Sequence, residues 1–265
     1  MPGGSPNSGH PLVARQPSSG AKSASAAATV AIVAMFKVRA AAGIVGPVVF
    51  TGAWLASSLL QTGYSPADIQ ISGLAAADAS DPWIMISGFL VLGGCTVAFG
   101  SALHEALAGQ RGGVSAGTPT GRKDGAGPDT PVAGAEPAGL APRLIQGAGV
   151  LTIAAGLLRR DHMLLVPGAV SWHNHAHDVV SAVLYADLVV AQLLLAREFG
   201  RRPAWRSWRP WLLASAGATC AVLIAFGADT SAVGAGILQL VAVTIPLAAI
   251  TAIAARLLRI PVPAG

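Results

Sequence analysis

Residues 230–255 read TSAVGAGILQLVAVTIPLAAITAIAA, a stretch without a single charged side chain. A transmembrane helix needs roughly 17–25 apolar residues, because each residue advances it by about 1.5 Å through a hydrocarbon core about 30 Å thick. The stretch is long enough, and Pro246 within it is tolerated where neighbouring helices satisfy the freed backbone groups. Residues 230–255 therefore predict a membrane-spanning helix.

The composition of the whole chain points to the same class of protein. Of its 265 residues, 53% are hydrophobic and only 11% are charged, whereas soluble domains carry about 25% charged residues. So few charges cannot cover a water-facing surface, which excludes an ordinary soluble enzyme. The high hydrophobicity also excludes disorder for most of the chain.

Five further stretches with little or no charge have a similar length. One of them, residues 144–158, reaches spanning length only if the preceding residues are included and the long side chain of Arg143 extends to the membrane surface. We therefore predict an all-α fold, an integral membrane bundle of six transmembrane helices. The spans are predicted at about residues 41–61, 82–103, 141–158, 178–196, 210–228 and 232–255.

The spans form one predicted membrane domain, residues 36–259, with less regular segments around it. Residues 1–35 are expected to be a disordered extension, because residues 1–23 are rich in Gly, Pro and Ser and the apolar run that follows is too short to span. Met35 is an alternative natural start, since a short basic segment follows it. We expect a flexible cytoplasmic loop at 104–142 and a short tail at 260–265.

The basic residues predict the orientation of the bundle. If the N-terminus is cytoplasmic, all of the 17 Lys and Arg residues except Arg159 and Arg160 fall in cytoplasmic segments. Cytoplasmic loops of membrane proteins carry this excess of positive charge. The sequence therefore predicts a multi-pass plasma-membrane protein with both termini in the cytoplasm.

The densest group of polar residues is SWHNHAHD at 171–178. If this segment is helical, His173 and His177 lie at positions i and i+4 on one face, where two imidazoles can bind one metal ion. Asp178 is a candidate third ligand, so zinc is a candidate cofactor at His173, His177 and Asp178. The alternative is a polar helix start at the membrane surface, capped by Ser171 or Asn174.

Three further charged residues are candidates for function. Asp187 lies near the middle of the fourth span, where a charge costs about 2.5–3.5 kcal/mol on insertion scales. It is either a proton or substrate site or a buried acid that fixes helix packing. Arg159 and Arg160 lie on the predicted outer side, where they either bind an anionic lipid head group or extend to the surface from a short span.

The expected partner is the lipid bilayer rather than a nucleic acid. The net charge of +5 follows from basic cytoplasmic loops and does not by itself indicate nucleic-acid binding. Cys95 and Cys220 lie in apolar runs and are expected to act as small buried hydrophobic residues. The oligomeric state stays open.

Four segments carry a family resemblance: AGIVGPVVFTGAWLASSLLQTGYSP (42–66), DPWIMISGFLVLGG (81–94), GAGVLTIAAGLLRRD (147–161) and SWHNHAHDVVSAVLY (171–185). They resemble the family called domain of unknown function 998. The resemblance implies a small multi-span bacterial membrane protein without an established activity, with His177 and Asp178 as its most family-like polar residues. The N-terminal segment and the long loop depart from the family pattern.

Three functions stay open at this point. The first is a non-enzymatic protein that binds or passes a small ligand, ion or lipid head group at an outward-facing polar pocket, formed by residues 62–81 and 159–178. The second is a metal-dependent membrane hydrolase that uses His173, His177 and Asp178. The third is an accessory membrane subunit without a ligand.

The predicted topology can be tested with reporter fusions. Fusions within residues 104–142 and at the C-terminus should both report the cytoplasm, because the basic residues cluster there. A periplasmic signal from either fusion would contradict the six-span topology.

Overall fold

The computed structural model describes residues 19–112, 139–164, 170–228 and 234–260. Within these ranges the chain is helical, with no strand. Six of the helices are long and apolar enough to cross a membrane. The predicted all-α fold with six membrane-capable helices is therefore confirmed.

The six long helices form a closed ring. Each helix packs against the next along the chain, and the sixth packs against the first. Two short 3₁₀ helices, Ile71–Ala75 and Pro203–Trp208, lie in the connections. The long helices are α1 Ser19–Leu60, α2 Pro82–Gly112, α3 Leu140–Leu157, α4 Trp172–Gly200, α5 Arg209–Ala228 and α6 Ala235–Arg259.

Three helix boundaries differ from the prediction by more than five residues. Helix α1 begins at Ser19, so residues 19–35 are helical where disorder was expected, because an alanine-rich run extends a helix already started by the span. Residues 104–112 belong to α2 instead of a loop. Helix α4 begins at Trp172 and includes the histidine-rich segment. Residues 1–18, 113–138 and 261–265 of the predicted extension, loop and tail lie outside the described residues.

Glycine allows α2 and α3 to touch through their backbones. A Cβ atom added to Gly93 would lie 2.5 Å from the carbonyl oxygen of Gly149, and one added to Gly149 would lie 2.6 Å from that of Gly93. Small residues at such crossings allow the close packing on which membrane helices depend for association. The side chain of Ile153 also packs against Gly93.

One end of the ring carries most of the described arginines and their partners. Arg39 Nη2 lies 2.5 Å from Glu105 Oε2, and the guanidinium of Arg256 lies over the ring of Trp205, 4.7 Å from its centroid. This end is called the basic end below. Its basic residues include Arg39, Arg143, Arg197, Arg202, Arg209 and Arg256.

The α2–α3 contact predicts opposite outcomes for two adjacent glycines. Gly93→Ala should destabilise the protein by about 1–3 kcal/mol, the usual cost of overpacking, because the added methyl group would meet the α3 backbone. Gly94→Ala is the matched control, since no atom lies within 4 Å of a Cβ built there. Thermal unfolding in detergent should show a lower Tm for Gly93→Ala alone. Equal Tm values for the two variants would contradict this packing.

Candidate functional site

Two connections cover the end of the ring opposite the basic end: residues 61–81, between α1 and α2, and residues 158–164, after α3. Together they are called the cap. Asp78 joins them, because one carboxylate oxygen accepts a hydrogen bond of 2.7 Å from the backbone NH of Met163 and the other lies 3.2 Å from His162 Nδ1. The cap is thus one hydrogen-bonded unit instead of two separate loops.

Backbone hydrogen bonds also attach the cap to α6. The NH of Gly234 donates to the carboxylate of Asp68 at 3.3 Å, and the NH of Ile237 donates to the carbonyl of Ala67 at 3.1 Å. These contacts satisfy donors at the start of α6 that lack a partner within the helix. They hold residues 61–81 across the top of the ring.

A second attachment joins the cap to the start of α4. The hydroxyl and the backbone NH of Ser171 each donate a hydrogen bond of 2.6 Å to Asp161. These two bonds lower the pKa of Asp161 below its ordinary value, so the carboxylate is ionised at neutral pH. Ser171 is also the N-cap of α4, since its side chain accepts a hydrogen bond from the NH of Asn174. Of the two residues expected to cap this helix, Ser171 is the one that does so.

The histidine-rich segment is helical, but its members have different surroundings. His173 is exposed and stacks on Trp172, with the ring centroids 3.8 Å apart. His177 is 3% exposed and directs Nδ1 at α3. Asp178 is exposed and accepts a hydrogen bond of 3.0 Å from the side chain of Asn174. The three predicted ligands therefore do not converge on one point.

Across the ranges that the structure describes, no three His, Cys, Asp or Glu side chains lie together so as to hold a metal ion. The zinc site predicted at His173, His177 and Asp178 is not formed. The acids of residues 61–81 are engaged in local contacts: Asp68 accepts from the hydroxyl of Ser65, and the indole NH of Trp83 donates to Asp81.

The two arginines of the cap are placed differently. Arg160 is 6% exposed and donates a hydrogen bond of 2.5 Å to the side-chain oxygen of Gln70. It therefore helps to join the two halves of the cap, and its contact with a lipid head group stays a prediction. Arg159 is exposed, and its contact with a lipid head group stays a prediction.

Asp187 lies in the contact between α3 and α4. Its Oδ2 atom is buried without a hydrogen-bond partner and is the nearest atom, at 3.5 Å, to a Cβ built on Gly147. Asp187 is ten residues from His177, or about 15 Å along the helix. It belongs to a different part of the bundle, and its predicted proton or substrate role stays a prediction.

The centre of the ring contains a cavity of about 60 Å³ directly beneath the cap. All the long helices except α5 contribute to its wall, and the 3₁₀ helix Ile71–Ala75 closes it at the top. Most of the wall is apolar, but it also has a polar group of side chains. These polar residues are Ser72, Thr96, Thr152, His177, Ser181, Tyr185 and Gln239.

His177 presents a hydrogen-bond acceptor in this wall. Its Nδ1 lies 2.9 Å from the carbonyl oxygen of Ala155 and 2.8 Å from that of Leu158, both near the end of α3. A neutral imidazole that donates from Nδ1 has an unprotonated Nε2, which is an acceptor. The last carbonyls of α3, which lack partners within the helix, thus fix the tautomer of His177.

Two further groups complete the polar part of the cavity. The side chains of Tyr185 and Gln239 are hydrogen-bonded to each other, and the Gln239 oxygen lies 3.4 Å from the backbone N of Ser72. The hydroxyl oxygen of Ser72 is buried and has no hydrogen-bond partner among the described residues. A buried hydroxyl without a partner is costly, so this one is available to a bound molecule or to water.

Sequence reasoning reached His177 but missed the group around it. His177, Ser181 and Tyr185 are spaced i, i+4, i+8, which places them on one face of a helix. This shared face could have been predicted from the sequence. The position of Ser72 in the cavity wall could not be predicted from the sequence, because it depends on how residues 61–81 fold over the ring.

No match to this chain is found among curated proteins or among solved structures. A family model described as "Protein of unknown function (DUF998)" matches residues 44–118 and 128–256, which is most of the chain. The match includes residues of each long helix that lines the cavity and confirms the resemblance seen in the sequence. The chain therefore belongs to the DUF998 family of proteins of unknown function.

Proposed function

We propose that this protein binds a small amphipathic molecule in the cavity beneath the cap. The observation that carries the proposal is the polar group formed by His177, Ser181, Tyr185, Gln239 and Ser72 around a cavity within membrane-capable helices. Polar groups in a membrane interior are costly unless they are paired. A set of them that faces a cavity supports a binding site, whereas a purely structural bundle would bury apolar side chains there.

The wall of the cavity favours an uncharged polar end on the ligand. Among the described residues, those lining the cavity include no Asp, Glu, Lys or Arg, and an unpaired charge would be strongly disfavoured there. His177 Nε2 accepts a hydrogen bond and the Ser72 hydroxyl can donate or accept one. A hydroxyl group satisfies both, so we propose a hydroxyl-bearing ligand with an apolar body.

Binding is favoured over the metal-dependent hydrolase. The hydrolase would need at least three ligands around one metal ion, and His173, His177 and Asp178 point in different directions. The polar group of the cavity needs no metal ion to bind a hydroxyl. The accessory-subunit alternative gives no reason for an unpartnered Ser72 hydroxyl above a cavity.

In this proposal the site lies beneath the outer surface of the membrane. The positive-inside rule places the basic end in the cytoplasm, which would put both termini there and the cap on the outer side of the plasma membrane. The cap carries Asp68, Asp78, Asp81 and Asp161, and its only Lys or Arg residues in the described ranges are Arg159 and Arg160. The polar part of the cavity then lies in the outer half of the membrane.

A photoreactive alcohol tests the cavity. Protein reconstituted in phosphatidylcholine nanodiscs would be irradiated with a hexadecanol that carries a diazirine in its chain, and labelled peptides would be mapped by mass spectrometry. We expect labelling of cavity-facing positions of α4 and α6. Ser181→Phe, which fills the cavity, should reduce it by about tenfold, corresponding to about 1.4 kcal/mol of lost binding.

Ala182→Phe is the matched control, because Ala182 is the next residue of α4 and is exposed on the outer surface of the ring. It should leave the labelling unchanged. Tm values of both variants would establish that they fold. Equal labelling of Ser181→Phe and wild type, or no labelling of the cavity in wild type, would contradict the proposed function.

A further inference from the structure

We propose that a groove between α1 and α6 holds the hydrocarbon chain of a membrane lipid and is the lateral route by which the ligand reaches the cavity. This inference rests on the proposed function and adds the class of ligand: a lipid from the bilayer whose chain lies in the groove while its hydroxyl end lies in the cavity.

The groove is larger than the cavity and has the dimensions of a chain site. Its volume is about 500 Å³, within the range of about 300–1,000 Å³ typical of ligand pockets. Along α6 its lining runs from Leu240 to Thr251, which is about 16 Å at 1.5 Å per residue. That length is about half of a hydrocarbon core of about 30 Å, so the groove matches one leaflet.

The lining of the groove requires only apolar contact from its occupant. Its three threonine hydroxyls all donate to backbone carbonyls: Thr51 to Pro47 at 2.8 Å, Thr244 to Leu240 at 2.7 Å and Thr251 to Gly43 at 3.4 Å. The remaining side chains are aliphatic or aromatic, apart from Gly52 and Pro47. A hydrocarbon chain fits this lining, whereas the polar backbone of a peptide would find no partner.

The groove has closed ends, which distinguishes it from an ordinary helix surface. Toward the basic end, α1 and α6 approach so closely that a Cβ added to Gly43 would lie 2.8 Å from Cβ of Ala254. Toward the cap, Gly236 packs against the carbonyl oxygens of Pro66 and Ile69. The space between these two contacts is a bounded window in the ring at membrane depth, and the bilayer is what faces it.

The window leads to the cavity through one layer of side chains. Phe50, Ile71, Val243 and Leu247 line both the groove and the cavity, so they separate the two spaces. All four are apolar, so a rotation of these side chains would join the two spaces without exposing a polar group. The small cavity suits the polar end of a lipid, and the larger groove suits its chain.

Glycine substitutions test the groove. Gly52 lines it, and no atom lies within 4 Å of a Cβ built on Gly52, so the side chain of Gly52→Phe starts in open space and is expected to fill the groove. Gly217→Phe is the matched control, because Gly217 in α5 is equally open and lines neither space. Thr244→Phe fills the groove from α6, as a second variant should Gly52→Phe fail to fold.

The readout uses nanodiscs of phosphatidylcholine that carries a diazirine in one acyl chain, with labelled peptides mapped in each variant. Wild type should be labelled preferentially at residues 47–55 and 240–251. Gly52→Phe should reduce that labelling by about tenfold, corresponding to about 1.4 kcal/mol, and should reduce labelling of the cavity by the hexadecanol probe as well. Gly217→Phe should reduce neither.

The outcomes separate this inference from the proposed function. Phospholipid labelling spread evenly over all helices, or equal labelling in Gly52→Phe and Gly217→Phe, would overturn the groove. Unchanged labelling of the cavity by the alcohol in Gly52→Phe and Thr244→Phe would overturn the lateral route while the cavity site stands. No labelling of the cavity in wild type would overturn the proposed function and, with it, the ligand assigned to the groove.

Discussion

A hydrogen-bonding group inside a bilayer has no water to bind, so it must find its partner within the protein. The spans meet this requirement with short local contacts. Hydroxyls of Thr96, Thr152 and Thr219 donate to the carbonyls four residues earlier. The carbonyl of Gly43, which Pro47 leaves without its usual helical donor, accepts from Thr251 of α6. Helices that carry these residues are thereby compatible with lipid.

The same requirement makes the cavity informative. Gln192 accepts a hydrogen bond of 2.5 Å from Ser215, which pairs two buried polar side chains across α4 and α5. The Ser72 hydroxyl, in contrast, is buried with no partner and lines an open space. Among the described residues, other buried side-chain atoms without a partner include Ser57 Oγ and Asp187 Oδ2, but Ser72 is the one such residue that lines the cavity. It is the local reason for assigning a hydroxyl-bearing ligand to the cavity.

The number and type of helices could be predicted from the sequence, because uncharged stretches long enough to span a membrane can be recognised directly. The ends of helices could not. Ser19 starts α1 and Trp172 starts α4, since alanine-rich or capped segments outside a span extend its helix without changing the charge pattern. The i, i+4 spacing of His173 and His177 gave the shared face but not where α3 ends beside it. His177 lies against the end of α3 and is buried, whereas His173, one turn nearer the start of α4, is exposed. Contacts such as that of Arg160 with Gln70 join residues 90 positions apart, and no local sequence pattern predicts them.

The central claim is that the cavity and the groove form one lipid-binding space. A cryo-electron microscopy structure of the protein in phosphatidylcholine nanodiscs would test it most directly. The account predicts elongated density that begins beside His177 and Ser72 and continues between α1 and α6 past Phe50 and Val243. A well-resolved map in which side chains fill the cavity and close the α1–α6 window, with no density between them, would contradict it.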